Sequence, residues 1–85
     1  MIFGAGQYAM QLLFQYPELK KNLLFFVDNN SVKWKMKFGN KEVKSPEILE
    51  SLEEDVVVVI CSMQNGMEIN EQIKGIGIEN HIIVL

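Results

Sequence analysis

The chain has 85 residues, of which 48% are hydrophobic and 22% are charged. This length suits one small domain, and a disordered chain would not contain so many aliphatic and aromatic residues. One cysteine and one histidine exclude a disulfide scaffold and a Cys-rich zinc site. The formal net charge of −3 argues against a nucleic-acid-binding protein. No apolar run is long enough to span a membrane and no signal peptide is visible, so we expect a cytoplasmic location.

The first predicted elements are a short strand and a helix. Residues 1–3 are apolar and lead directly into a glycine-rich turn. The helix is predicted over residues 7–16 because its apolar residues recur at helical spacing, and Pro17 ends it. Met10 and Phe14 lie four residues apart and widen its apolar face, which would suit a protein partner.

A second strand and a hairpin are predicted next. Residues 23–27 form an unbroken apolar run, typical of a buried parallel strand, and residues 28–30 (DNN) form a turn signal. Over residues 32–38, apolar side chains alternate with Lys, which predicts a strand with one apolar and one basic face. A turn at residues 39–40 (GN) would lead back into a strand over residues 41–44, completing a hairpin. A loop with a strand fragment is the alternative for this segment.

The second half of the chain predicts two further helices and two strands. Ser45 as N-cap and Pro46 at the first helical position indicate a helix start. Residues 56–61 (VVVVIC) give the clearest buried strand in the chain. Residues 65–68 have the spacing of a capping box, which predicts a helix start, and residues 81–85 form a last apolar strand.

This order of elements predicts a parallel sheet covered by helices on both faces. We therefore expect residues 1–85 to form a single, reduced Rossmann-like three-layer α/β domain. Its four parallel strands, numbered along the chain, should have the order 2-1-3-4, with the hairpin beside strand 2. A full dinucleotide fold has six strands. We therefore expect the chain to be the nucleotide-binding piece of a larger protein, either a fragment or a subunit whose sheet or first-helix face meets a partner.

The glycine turn carries the main functional signal. Residues 4–9 (GAGQYA) match G-x-G-x-x-A, in which Gly4 permits the turn, Gly6 lets the backbone approach a pyrophosphate, and Ala9 allows close helix packing. The N–H groups at the helix start favour phosphate, which matters because the chain has no Arg. Asp28 lies 19 residues after Ala9, and its carboxylate could accept ribose hydroxyls while repelling a 2′-phosphate. NAD or a UDP-type nucleotide sugar is the predicted ligand. We expect Asp28→Ala to weaken its binding and leave the fold intact.

The end of the third strand lies beside the point where the strand order reverses, where such sheets bind ligands. Ser62 and Met63 could therefore touch the ligand, or belong to an ordinary loop. The glycines, too, could serve only the turn. Cys61 continues a buried apolar run and is not expected to act as a nucleophile. The expected ligand contacts are Gly4, Ala5, Gly6, Gln7, Tyr8, Asp28, Asn29, Ser62 and Met63.

The remaining polar and aromatic residues show no catalytic constellation and no metal site. The Lys residues between positions 33 and 44 predict a solvated face, and the alternative is that Lys33 or Lys35 lies near a ligand phosphate. Trp34 would anchor the hairpin on the core or contact a neighbouring domain. His81 is expected at the end of a strand.

Four segments together resemble a known family. The resemblance is to the small Rossmann-like domain at the N-terminus of bacterial polysaccharide-biosynthesis proteins. Relatives of that domain include nucleoside-diphosphate-sugar epimerases and dehydratases and the nucleotide-binding domain of sugar acyltransferases. The segments are residues 2–8 (IFGAGQY), 26–30 (FVDNN), 44–47 (KSPE) and 59–63 (VICSM).

The resemblance implies binding of NAD or a nucleotide sugar at Gly4, Gly6 and Asp28, with catalysis in an adjoining domain. A regulatory or protein-interaction domain that keeps the fold without catalysis is the alternative, and a homodimer would fit either function. A methyl-transfer domain is a third and weaker hypothesis, because the chain lacks the later strands of that class.

Overall fold

The computed structural model describes all residues from 1 to 85 and shows a mixed α/β fold. The six strands are β1 (Ile2–Phe3), β2 (Phe26–Val27), β3 (Lys37–Phe38), β4 (Lys41–Lys44), β5 (Val58–Ile60) and β6 (Ile82–Val84). The three α-helices are α1 (Gln7–Gln15), α2 (Pro17–Asn22) and α3 (Gly66–Ile76). Two 3₁₀ helices cover Ser31–Lys33 and Pro46–Ser51.

The strands form one sheet with the order β3-β4-β2-β1-β5-β6. All neighbouring pairs are parallel except β3 and β4, which form an antiparallel hairpin. The order β2-β1-β5-β6 confirms the expected 2-1-3-4 arrangement, and the hairpin lies beside β2 as expected. The sheet therefore brings the carboxyl ends of β1, β2 and β5 to the same edge.

Alternating strand residues divide the core into two clusters, one on each face of the sheet. Phe3, Val27 and Ile60 pack in one cluster with residues of α3 and of the 3₁₀ helix Pro46–Ser51. Ile2 and Phe26 point to the opposite face and pack with the buried side of α1. Both clusters are apolar, and no buried side chain of the core is charged. Burial of this kind is the main favourable contribution to folding.

The strand predicted over residues 32–38 is wrong for most of its length. The Asn30 side chain accepts a hydrogen bond of 3.1 Å from the Val32 N–H, and this cap starts the 3₁₀ helix Ser31–Lys33. Lys35 then adopts a left-handed conformation with φ of +71°, which an extended strand cannot contain. As a result Val32 is 79% exposed instead of facing the core. Local capping therefore overrides the alternating pattern.

The hairpin itself is confirmed. Gly39 and Asn40 have φ values of +59° and +66°, and positive φ at both positions is what a tight type I′ hairpin turn requires. Phe38 packs edge-on against Phe26, with ring centroids 5.1 Å apart. The Trp34 side chain packs against the same cluster, so Trp34 anchors the hairpin region on the core of its own domain.

The first helical region also differs from prediction. The first helix does end before Pro17, but this proline is itself the first residue of α2, a helix that the sequence pattern does not predict. A proline fits the first turn of a helix, where its missing N–H is not needed. Met10 and Phe14 lie exposed on α1 and do not widen its core face. In the predicted strand over residues 23–27, only Phe26–Val27 is paired.

The two predicted helix starts in the second half have different outcomes. Ser45 caps its segment as expected, since its hydroxyl accepts the Glu47 N–H at 3.3 Å, but the segment is a 3₁₀ helix. The capping box at residues 65–68 is wrong, because the Asn65 side chain makes no capping bond. The helix still begins where predicted, at Gly66, and the Ser62 hydroxyl accepts the N–H of the N-cap residue Asn65 at 3.0 Å. No helix of the fold is long and apolar enough to cross a membrane.

Candidate functional site

Gly4 is required by the fold. Its φ is +117°, a conformation that residues with a Cβ rarely adopt. A Cβ at this position would also collide with the backbone carbonyl of Cys61. The Gly4 N–H donates a hydrogen bond of 2.7 Å to the Val27 carbonyl. The first glycine of the motif therefore has a complete structural explanation.

Neither backbone strain nor a close contact explains the glycine at position 6. It is the N-cap of α1, with an extended backbone at φ of −139° that any residue can adopt. A Cβ placed on Gly6 would meet no atom within 4 Å. The fold would therefore accept a side chain here, and the sequence leaves the backbone at the head of α1 uncovered.

Asp28 holds the glycine turn. Its Oδ2 accepts the Ala5 N–H at 2.9 Å, and its Oδ1 accepts the Asn30 N–H at 2.8 Å. The Lys33 ammonium lies 3.7 Å from Oδ2 and donates to the Ala5 carbonyl at 2.7 Å. The Trp34 indole N–H donates to the Asp28 carbonyl at 2.7 Å. A carboxylate has about four acceptor positions, so Asp28 can still accept a further hydrogen bond from a ligand.

A cleft of about 310 Å³ opens at the carboxyl ends of β1, β2 and β5, facing the first turns of α3. The structure brings most of the predicted contacts to it and leaves three outside its lining. Met63 is 82% exposed, Tyr8 packs against the core cluster beneath α1, and Gln7 lines the outer surface of that helix. The predicted residues that do line the cleft are Gly4, Ala5, Gly6, Asp28, Asn29 and Ser62.

The wall formed by α3 is missing from the predicted contacts. Asn65, Glu68 and Gln72 line the cleft from this helix. Their spacing of three and four residues places them on one face, and this pattern was the available sequence signal. Gln72 exchanges two amide hydrogen bonds of 2.9 Å with Asn29, so the pair bridges the two walls. Lys33 also lines the cleft, whereas Lys35 does not.

The polar groups around the cleft are suited to binding through hydrogen bonds. They comprise backbone groups of the glycine turn, amides, one ammonium and the carboxylates of Asp28 and Glu68. Cys61 lines the cleft but is buried, and desolvation raises the pKa of its thiol to about 11. It therefore stays protonated at neutral pH. No group of three His, Cys, Asp or Glu side chains is arranged to hold a metal ion.

The fold and the cleft together define a small α/β domain with a polar site at the head of its first helix. The chain belongs to the C2185-like N-terminal domain family, whose model matches residues 1–84. It is also similar in fold to a solved structure, a Rex-family repressor named RSP, with a TM-score of 0.66 and 19% sequence identity. That match covers 99% of this chain and 50% of the repressor chain. No curated protein matches the sequence.

These findings overturn the resemblance to polysaccharide-biosynthesis proteins and to nucleoside-diphosphate-sugar epimerases. The family that matches is a different one, and the similar solved structure is a repressor. The physical reason is that residues in the segments that carried the resemblance have structural roles in the fold. Gly4 avoids a backbone collision, Asp28 fastens the turn, and Ser45 caps a helix. These tasks belong to the fold, so the segments do not distinguish one family from another.

Proposed function

We propose that this domain binds a nucleotide, either NAD or a UDP-type nucleotide sugar, in the cleft between the glycine turn and α3. Catalysis, if the ligand undergoes any, would belong to another domain. The strand order and the helices on both faces support a Rossmann-like interpretation of the fold, in which this edge of the sheet is the usual ligand position. The cytoplasm is the expected location.

The observation that carries the proposal is the uncovered backbone at Gly6. The need for a tight turn accounts for Gly4, but it does not account for Gly6, where a Cβ would meet nothing in the protein. A missing side chain at a helix N-terminus is explained if a phosphate group must approach the backbone. The cleft lies at this position.

The charges around the cleft favour a ligand with few phosphates. Lys33 is the one cation of the lining, which also contains the carboxylates of Asp28 and Glu68, and its ammonium lies 3.7 Å from Asp28 Oδ2. Lys33 and the helix N-terminus would offset part of the charge of a pyrophosphate, since each favours an anion. The free acceptor position of Asp28 suits a ribose hydroxyl. A further 2′-phosphate would meet the same carboxylate and is disfavoured, so NAD is expected to bind more tightly than NADP.

The test is a thermal-shift screen followed by titration calorimetry, using NAD, UDP-glucose and NADP as probes. A ligand present at 100 times its dissociation constant should stabilise the fold by about 2.7 kcal/mol. Gly6→Ala should fold normally and lose at least about tenfold in affinity, or about 1.4 kcal/mol. Gly75→Ala is the matched control, because a Cβ at Gly75 also meets nothing and Gly75 does not line the cleft. The proposal fails if no probe shifts the melting temperature, or if Gly6→Ala binds as the wild type does.

A regulatory or protein-interaction domain is the second candidate. It is favoured by one observation, that the similar solved structure is a repressor. In this case the domain would act through contacts with other protein surfaces. A negative nucleotide screen would favour this candidate over the first.

A further inference from the structure

The hairpin region gathers most of the positive charge of the chain. Residues 33–44 contain five of the eight Lys residues and one of the eleven acidic residues. Of these lysines, only Lys33 forms an ion pair, with Asp28, and it lies in the cleft. The other four have no acidic partner, although the chain contains more acidic than basic residues. The fold therefore leaves their ammonium groups free for an anion from outside the protein.

A hollow of about 210 Å³ lies beside the hairpin. Three of the unpaired lysines reach it, together with one amide and one carboxylate. No residue of its lining belongs to the cleft, so the two are separate sites. The lining consists of Lys37, Lys41, Lys44, Asn40, Glu42 and the two apolar residues before β2.

The strand geometry places three of these charged side chains on one face of the sheet. Lys37 of β3 is opposite Glu42 of β4 in the antiparallel register. Lys44 follows Glu42 by two positions and so points to the same side. The Lys44 Nζ lies 4.8 Å from the centre of the Phe25 ring, and this cation–π contact restricts the Lys44 side chain. At least one ammonium group is therefore held at the hollow before any ligand arrives.

The number and type of these charges indicate which anion fits. Three Lys and one Glu leave the lining with an excess of two positive charges, which a phosphate monoester, with a charge of about −1.5 to −2 at pH 7, would balance. A carboxylate or a phosphodiester carries only one negative charge. A planar carboxylate is also matched best by an arginine fork, and the chain has no Arg. Separate lysine point charges suit the tetrahedral oxygens of a phosphate instead.

We propose that the hollow beside the hairpin is an anion site that binds a phosphate monoester group. The three Lys side chains surround the phosphate, and the Asn40 amide donates a further hydrogen bond. The Phe25 ring offers an apolar surface to the carbon that carries the phosphate. Glu42 opposes the ligand and limits its affinity. The site shares no residue with the cleft and does not rest on the proposed function.

The test is an NMR titration of the isotope-labelled full chain with glucose 6-phosphate. Ionic strength is kept low and constant, because salt screens exposed charges. The amide signals of residues 40–44 should shift and saturate, whereas dimethyl phosphate and acetate should bind much more weakly. Shifts confined to residues 4–6 and 65–68 would mean that the phosphate binds only in the cleft, and they would overturn the proposal. Equal binding of acetate would overturn it as well.

Charge variants of the hollow should change the affinity in opposite directions. Lys41→Gln should weaken binding about two- to fivefold, the range of an exposed ion pair, and Glu42→Gln should strengthen it by a similar factor. Lys74→Gln is the matched control, because it removes the same charge from an exposed position on α3 and should bind as the wild type does. Equal melting temperatures show that the variants are folded. If Lys74→Gln weakens binding as much as Lys41→Gln, the net charge alone attracts the anion and there is no site.

The source of the phosphate is identified by a second ligand, a tripeptide with a central phosphoserine between two glycines. Tighter binding of the peptide than of glucose 6-phosphate assigns the site to a phosphorylated protein, and the reverse order assigns it to a small phosphorylated metabolite. Binding of neither ligand at residues 40–44 overturns the proposal. Gly6→Ala should leave these titrations unchanged, so a failure of the nucleotide proposal and a failure of this one can be told apart.

Discussion

The Asp28 carboxylate accepts a hydrogen bond of 2.9 Å from the Ala5 N–H, so the residue after β2 fastens the turn after β1. This bond joins the ends of two neighbouring strands at the edge where the cleft opens. A residue expected from the sequence to hold a ligand therefore holds the site together as well.

Asp28→Ala is accordingly expected to lower the free energy of unfolding by about 1–3 kcal/mol, because the Ala5 and Asn30 N–H groups lose their acceptor. Asp28→Asn should cost less, since its amide oxygen can still accept one of the two. Urea unfolding followed by circular dichroism measures both. We therefore expect Asp28→Ala to keep the shape of the fold, as the sequence suggests, but to lower its stability. An alanine variant as stable as the wild type would show that the bond contributes nothing.

Substitution by alanine should lower the stability of the protein strongly at Gly4 and only slightly at Gly6. Gly4→Ala is expected to destabilise the protein by at least about 1–3 kcal/mol, because the backbone conformation alone is strained by that amount and the Cβ also meets the Cys61 carbonyl. Gly6→Ala should cost less, about 0.5–1 kcal/mol, because its Cβ meets nothing and alanine is only a poorer N-cap than glycine. Chemical denaturation of the two variants side by side measures this difference. Similar losses in both would mean that Gly6, too, is needed for folding.

Cys61 gives a prediction for pH. Burial raises the pKa of its thiol to about 11 in the folded state, from an ordinary value of 9.0. The group therefore stabilises the fold fully below pH 9, and this contribution is lost as the pH rises from 9 towards 11. Urea midpoints measured across this range should fall, and they should fall less in Cys61→Ala. At pH 8 the native thiol should react with a thiol reagent far more slowly than in denaturant. Equal rates in the folded and unfolded states would contradict its burial.

Trp34→Phe should destabilise the protein by about 1 kcal/mol, because the indole N–H bond to the Asp28 carbonyl is lost. Val32→Ser is the control from the same segment. Val32 is exposed, so its replacement should change stability by less than about 0.5 kcal/mol. Thermal unfolding of both variants tests this. A large loss for Val32→Ser would instead favour the alternating strand that the sequence predicts.

The sheet could be predicted from the sequence because its signals are strong and local. Residues 56–61 are apolar without interruption, and the pair Gly39 and Asn40 tolerates the positive φ of a tight turn. The segment over residues 32–36 could not be predicted in this way. There the cap from Asn30 and the left-handed backbone of Lys35 outweigh the alternation of apolar and basic side chains.

The cleft was predictable at the glycine turn and at the strand ends, but not along α3. A motif in consecutive residues identifies Gly4 and Gly6, and Asp28 follows at the expected distance. The opposite wall depends on how α3 is placed over the sheet, which brings Gln72 to Asn29 across 43 positions of sequence. Lys33 reaches the Ala5 carbonyl only because the 3₁₀ helix directs it there, and that helix is absent from the predicted elements.

The central position of β1 determines the order in which the sheet can be assembled. Ile2 pairs on one side with Phe26 and on the other with Val59, and the Val59 N–H donates to the Met1 carbonyl at 2.9 Å. During synthesis the first strand can pair with β2 early, but its second neighbour, β5, is made about thirty residues later. Until then one edge of β1 stays unpaired, and an open edge is prone to pair with other chains. The domain should therefore fold in one cooperative step once β5 has been made, and contacts of such long sequence separation slow that step.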